Sequence, residues 1–163
     1  MTTTSESRTD VTVSARAAGL IRLVGLAGIV GGILLIVAAG AVWITVATQL
    51  RAENITIPDD AMAFPGATVQ GPVTAYIQAD IIQTHALEMS DGKTYAELDR
   101  DDPLRATVMN ASFLRASLFT SVVSFGVALL AAGMGALFVL FGASLRALVG
   151  APRARDARPV SAD

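Results

Sequence analysis

Two long stretches of this chain, residues 23–50 and 116–145, contain no ionisable side chain. About 20 apolar residues suffice to cross a hydrocarbon core about 30 Å thick, so each stretch can span it and must tilt or protrude. Inside lipid the backbone has to satisfy its own hydrogen bonds, and an isolated segment does so only as a helix. Both stretches are therefore expected to be transmembrane helices, over residues 18–50 and 113–148. Arg16 and Arg22 flank the first, as basic residues flank a signal peptide. A signal sequence has an apolar region of about 7–15 residues, however, and this run is far longer. It is expected to remain as an uncleaved anchor.

The rest of the composition fits that reading. Hydrophobic residues make up 53% and charged residues 16%, where a soluble domain has about 25% charged residues. Basic residues set the orientation. Arg8, Arg16 and Arg22 precede the first span, and Arg146, Arg153, Arg155 and Arg158 follow the second. The positive-inside rule then puts both tails, residues 1–17 and 149–163, in the cytoplasm as disordered segments of a plasma (inner) membrane protein. Between the spans, residues 51–115 hold five basic and ten acidic groups, a net of −5. Residues 51–112 are read as an acidic extracytoplasmic cap. Trp43, Phe113 and Phe119 lie toward the outer ends of the spans, where aromatic side chains anchor at the interface.

Within the cap, Ile55 and Ile57 alternate with Thr56 and predict a short extended piece ended by Pro58. Asp59-Asp60, Pro65-Gly66 and Gly71-Pro72 are turn signals and predict a loop. Ala75, Ala79, Ile82, Ala86 and Met89 recur at helical spacing, widened by Ile77 and Ile81, and predict a helix over 74–89 closed by Asp91-Gly92. Thr94 with Glu97 reads as a capping box for a short helix over 95–99. Asp102 before Pro103 reads as an N-cap with proline at the first helical position. With no breaker beyond it, one helix is expected from 103 to about 148, roughly 70 Å long. Its first turns offer Leu104, Val108, Met109 and Ala111 to cover the apolar face of the 74–89 helix. The expected fold class is an all-α membrane protein, a two-span transmembrane helical hairpin with a small, mostly helical extracytoplasmic cap.

The spans also suggest how they pack. Gly25, Gly28, Gly32 and Ala39 share one face of the first. Ser117, Ser121, Ser124, Ala128, Ala131, Gly135 and Gly142 follow heptad-like steps on the second. Small residues let helix backbones approach closely in lipid, where hydrophobicity does not drive association. This helix-packing seam either closes the two spans of one chain on each other or meets a second copy or another membrane protein. The serine hydroxyls are expected to bond to the preceding turn or across to the partner helix.

Chemistry is sparse. The chain has no cysteine, which excludes disulfides, thiolate nucleophiles and zinc-thiolate sites. No basic patch exists outside the tails, so no nucleic-acid partner is expected. The spans carry no charge for an ion or proton relay. His85 is the only histidine, and Asp80 and Glu88 are its nearest carboxylates in sequence. It reads as the flank of a packed helix, with a pH-sensing role as the alternative. Asp99, Asp101 and Asp102 lack the spacing of a calcium-binding loop and read as a solvated turn and cap. Gly92-Lys93-Thr94 lacks the upstream glycine of a phosphate loop, since Leu87 stands there. Arg115 stands at the mouth of the second span, placed to reach headgroups, a lipid phosphate or a partner carboxylate. If the outer face recognises anything, His85, Asp99, Asp101 and Arg115 are the residues to do it.

Two segments carry a resemblance. His85-Ala86-Leu87-Glu88 leading into Gly92-Lys93-Thr94-Tyr95-Ala96-Glu97-Leu98-Asp99 is one, and the run from Asn110 to Phe119 is the other. Over roughly residues 20–148 the chain resembles a group of small actinobacterial two-span membrane proteins that often carry the label aromatic ring-opening dioxygenase. That label implies a non-heme iron site, which needs about two histidines and a carboxylate. One histidine does not supply it, so no cofactor and no enzymatic activity are expected. The expected function is that of an accessory or scaffold subunit associating with itself or a larger membrane complex. The alternative is an extracytoplasmic module that binds or senses a cation, a lipid or an envelope component.

Overall fold

The structure, a computed structural model, describes residues 14–150. The expectations for the tails fall mostly outside the described residues. Among the described residues there are three helices: α1 (Ala15–Ala52), α2 (Pro72–Met89) and α3 (Arg105–Gly150). Both α1 and α3 are long and apolar enough to cross a membrane.

Side-chain caps explain where the helices begin and end. The Ser14 hydroxyl accepts a hydrogen bond from the Ala17 amide at 3.3 Å, so α1 starts three residues before the expected 18. Asn54, with φ 51°, supplies the left-handed residue that follows the last turn of α1. α2 starts at Pro72, two residues earlier than its apolar spacing predicts. Gly71 and Pro72, read from sequence as loop, are the N-cap and first helical residue. Proline suits that place because its fixed φ is helical and its missing N–H has no partner to lose. The Thr74 hydroxyl oxygen accepts from the amides of Gln70 and Gly71, each at 3.1 Å. Asp91 and Gly92, with φ 51° and 81°, close α2, and the Gly92 amide donates to the Leu87 carbonyl at 2.8 Å.

Two expectations in this region are corrected. The segment 95–99 is a turn, not a short helix. Its box is only half made. Glu97 accepts from the Thr94 amide at 2.8 Å and hydroxyl at 2.7 Å. A segment this short returns too few helical bonds for the residues it fixes. Leu98, 5% exposed, instead turns into the interior, and the Arg105 guanidinium takes the carbonyls of Tyr95 and Leu98. The long helix also starts at Arg105 and not at Pro103. Asp102 does act as a cap, accepting from the Leu104 amide at 2.8 Å, but the chain forms a turn before it becomes helical. From Arg105 the helix is uninterrupted to Gly150.

The chain divides into two compact units. In the unit Leu34–Met134, an isolated antiparallel bridge joins Thr56 to Thr68. Ile57 and Val69 donate across it to Ala67 and Ile55, at 3.0 and 2.9 Å. The extended piece at 55–57 therefore exists, and its partner lies in the segment read as loop. Both Ile57 and Val69 are fully buried. They share a core with Ala75, Ile77 and Ala79 of α2, Ala47 and Leu50 of α1, and Leu118 and Phe125 of α3. Two aromatic pairs extend it: Trp43 on Phe125 with centroids 4.7 Å apart, and Tyr76 on Phe119 at 5.8 Å. Of the residues expected to cover α2, Val108 is buried, while Leu104, Met109 and Ala111 are half-buried. The core thus draws on Leu118 and Phe125, inside the charge-free run, and not only on the first turns of the helix.

The other unit holds the stretches up to Ile33 and from Gly135. Here the helix backbones nearly touch. A Cβ added at Gly25 would lie 2.8 Å from the Gly142 carbonyl oxygen, and one at Gly28 would lie 3.3 Å from that of Phe138. At Gly32 it would collide with the Gly135 carbonyl oxygen. Gly25, Gly28, Gly32, Gly135 and Gly142 are thus brought together, as the seam requires. In the serine part of the seam, Ser117 is corrected. Ser117 is exposed and Leu118 takes the buried position beside it. Ser121 and Ser124 are half-buried, and their hydroxyls donate to the carbonyls of Ser117 and Thr120 at 3.3 and 2.8 Å. Burial along α3 falls at Leu118 and Phe125 in one unit, seven residues apart, and at Gly135 and Gly142 in the other, also seven apart.

Candidate functional site

Within the unit Leu34–Met134 a cavity of about 260 Å³ opens where three segments meet. α2 contributes Gln83, Ala86 and Leu87, and the turn after it contributes Thr94 and Tyr95. α3 contributes Val108, Ala111, Ser112 and Arg115. The α3 residues stand at i, i+3, i+4 and i+7, one face of one helix. The turn is held in place from the other side. Arg105 lies 4.3 Å over the Tyr95 ring while donating to the backbone of that turn. Sequence reasoning missed the contribution of Gln83, Tyr95 and Ser112, although the shared face of 108, 112 and 115 was visible in the spacing.

Arg115 is the only charged residue lining the cavity. Its Nε is buried and has no hydrogen-bond partner. Its guanidinium carbon lies 5.1 Å over the Phe119 ring, a cation–π contact that satisfies no N–H. The hydroxyls of Thr94 and Ser112 donate elsewhere, to Glu97 at 2.7 Å and to the Val108 carbonyl at 2.9 Å. The wall is therefore mostly apolar, with Gln83 and Tyr95 as neutral polar groups and Arg115 as its one charge, and a buried donor left unmade is unfavourable.

Glu97 sits just behind this wall. Hydrogen bonds from the Thr94 amide and then its hydroxyl hold its carboxyl below the ordinary value of 4.5. A carboxyl lowered on folding stabilises the fold above its unfolded pKa, and that contribution is lost as pH falls through the folded value. The Thr94–Glu97 turn should therefore loosen on acidification below about pH 4.5. Glu97→Gln should lower the melting temperature at pH 7, and the difference should shrink as the pH is taken below 4.5. Thermal unfolding of both proteins across that range checks this.

The other predicted outer-face residues are placed apart from the cavity. His85 Nε2 lies 2.7 Å from Asp60 Oδ2, and both side chains are substantially exposed. The hydrogen bond to His85 is the largest of the effects that lower the Asp60 carboxyl from its ordinary value. This partner lies 25 residues away and not at Asp80 or Glu88, the neighbours available on the same helix. It is the only carboxylate contact of salt-bridge geometry among the described residues, and it is an ion pair only when His85 is protonated. Asp99 and Asp101 are exposed and face no partner side chain in the hydrogen-bond pattern, while Asp102 caps the turn. Among the described residues no three His, Asp or Glu side chains gather closely enough to hold a metal ion.

Comparison with protein-family models, curated proteins and solved structures finds no match for this chain.

Proposed function

We propose that the chain is a non-catalytic integral protein of the plasma membrane whose extracytoplasmic helical cap is a binding module. On this reading α1 and α3 cross the bilayer as an antiparallel hairpin with both tails in the cytoplasm. The exposed surface of the long helices supports the membrane assignment. Leu34, Val37, Ile44, Leu129, Leu130, Leu140 and Phe141 are each more than 60% exposed, an apolar area that a monomer in water does not tolerate. The charge-free runs of 28 and 30 residues correspond to about 42 and 45 Å of helix. That matches a bilayer of about 40–45 Å including its headgroup layers. Arg22 and Arg51 then bracket one crossing and Arg115 and Arg146 the other.

The observation that carries the binding reading is the cavity whose one cation has a buried, unpartnered Nε. The accessory-subunit reading has a different support. The glycine faces pack against each other within the chain and are not free for a partner there. A solvent-facing apolar loop remains, with Met62 74% and Phe64 55% exposed. Phe64 also holds a φ of 57°, an unfavourable backbone for an aromatic residue.

Native mass spectrometry of the protein, extracted from its own membranes in mild detergent, separates the two readings. The binding module predicts one chain carrying a small-molecule adduct. A stoichiometric second protein with no adduct would replace it with the accessory subunit.

A further inference from the structure

We propose that the cavity beside Arg115 takes an anionic oxygen group, a phosphate or a carboxylate, as its ligand. The inference rests on the reading of the cap as a binding module and adds the chemistry of what is bound. Arg115 supplies the positive charge, and its Nε is a buried donor without an acceptor. No carboxylate lines the cavity to neutralise it. This lone cation stands in a segment whose net charge is −5, so its place in a mostly apolar wall is set by local structure and not by a general basic field. A planar guanidinium matches the paired oxygens of phosphate and carboxylate better than any other side chain does. Ala86, Leu87 and Val108 line the same cavity, and apolar surroundings strengthen a charge-assisted hydrogen bond. The volume, about 260 Å³, is at the low end for a ligand pocket and suits a head group or a small molecule, not a whole lipid.

Two sources present such a group at this place. Arg115 immediately precedes the charge-free run of the second crossing, so the phosphates of the outer leaflet lie at its level. A soluble phosphate or carboxylate reaches the same cavity from outside. The chemistry is shared, and the experiment tells the sources apart.

The full-length protein in neutral detergent is mixed with equal amounts of phosphatidylglycerol and the phosphate-free neutral lipid diacylglycerol, and the lipid retained is read by native mass spectrometry. In parallel its melting temperature is followed as inorganic phosphate is added at constant ionic strength. The wild type should retain the anionic lipid about tenfold over the neutral one, the preference that one charge-assisted bond supplies. Arg115→Gln should erase that preference, and Arg100→Gln, which removes an exposed cation outside this cavity, should keep it. Stabilisation by phosphate that Arg115→Gln abolishes, without a lipid preference, assigns the soluble source. Equal loss in both variants means diffuse attraction to the surface and overturns the proposal. A wild type that prefers neither anion overturns it too, whether or not Arg115→Gln folds. Retention of a neutral molecule in the cavity overturns the anion assignment but leaves the binding module standing.

Discussion

Phe125→Ala should cost about 2 kcal/mol or more of stability, the largest single loss expected outside the glycine seam. Phe125 is 1% exposed and meets the Trp43 ring edge-on at 4.7 Å. It belongs to the core that also holds Ile57, Val69, Ala75 and Leu118. In a water-soluble core, Phe→Ala costs about 3–5 kcal/mol, from lost transfer free energy and from the cavity left behind. Phe125 lies inside the charge-free run; on the proposed two-span topology the unfolded reference still sits in lipid, so the transfer part shrinks. The cavity and the lost aromatic contact remain. Phe113→Ala is the matched control, because Phe113 is 64% exposed and should change stability by less than about 0.5 kcal/mol. Thermal unfolding in detergent, with tryptophan fluorescence from Trp43 as reporter, measures both.

Gly32→Ala should cost about 1–3 kcal/mol, a methyl group having a larger effect here than most side-chain deletions on the surface. The new Cβ would collide with the backbone oxygen of Gly135 and lie 2.8 Å from a Val139 methyl group. A backbone oxygen in a helix cannot rotate away, so the helices themselves must part. Gly31 and Gly40 make the comparison sharp, since a Cβ at either meets nothing within 4 Å. Gly31→Ala and Gly40→Ala should be neutral or stabilising by up to about 1 kcal/mol, because alanine is the better helix former. The contrast between neighbours 31 and 32 reads the packing directly, with the same chemical change on each. Steric-trap or thermal unfolding measurements on the three variants should rank Gly32→Ala far below the other two.

What was legible in the sequence follows the range of the interaction that decided it. The charge-free runs announce α1 and α3, because helix formation in lipid is enforced locally by each backbone. The glycine faces were also legible, since a residue without a side chain has little use at helical spacing except close approach. Caps were legible as residue types but not as boundaries. Asp102 caps as expected, yet the helix waits until Arg105. Thr94 and Glu97 bond as expected, yet no helix follows them. Around both, the Arg105 guanidinium bonds to the carbonyls of Tyr95 and Leu98, a contact that the residue types of the caps do not announce.

The site was less legible for the same reason. Arg115 stood out by its position at the mouth of a span, but its cavity needs α2 and the 94–96 turn to fold against α3. His85 stood out by its rarity, and its partner Asp60 lies in a loop that no periodicity connects to α2. Ser117 was misplaced by one residue because serine and glycine were treated alike as small. A buried position in a mixed core favours the larger apolar neighbour, and Leu118 fills it.

The central claim is a chain that crosses the bilayer twice with its cap outside. The absence of cysteine makes one measurement direct. Single cysteines are introduced as Met62→Cys, in the exposed loop of the cap, and as Ser161→Cys, in the C-terminal tail. Intact cells are then treated with a membrane-impermeant maleimide. Label on Met62→Cys in intact cells, with label on Ser161→Cys only after permeabilisation, is the result this account predicts. Label on Ser161→Cys in intact cells, or protection of Met62→Cys until the membrane is opened, would contradict it.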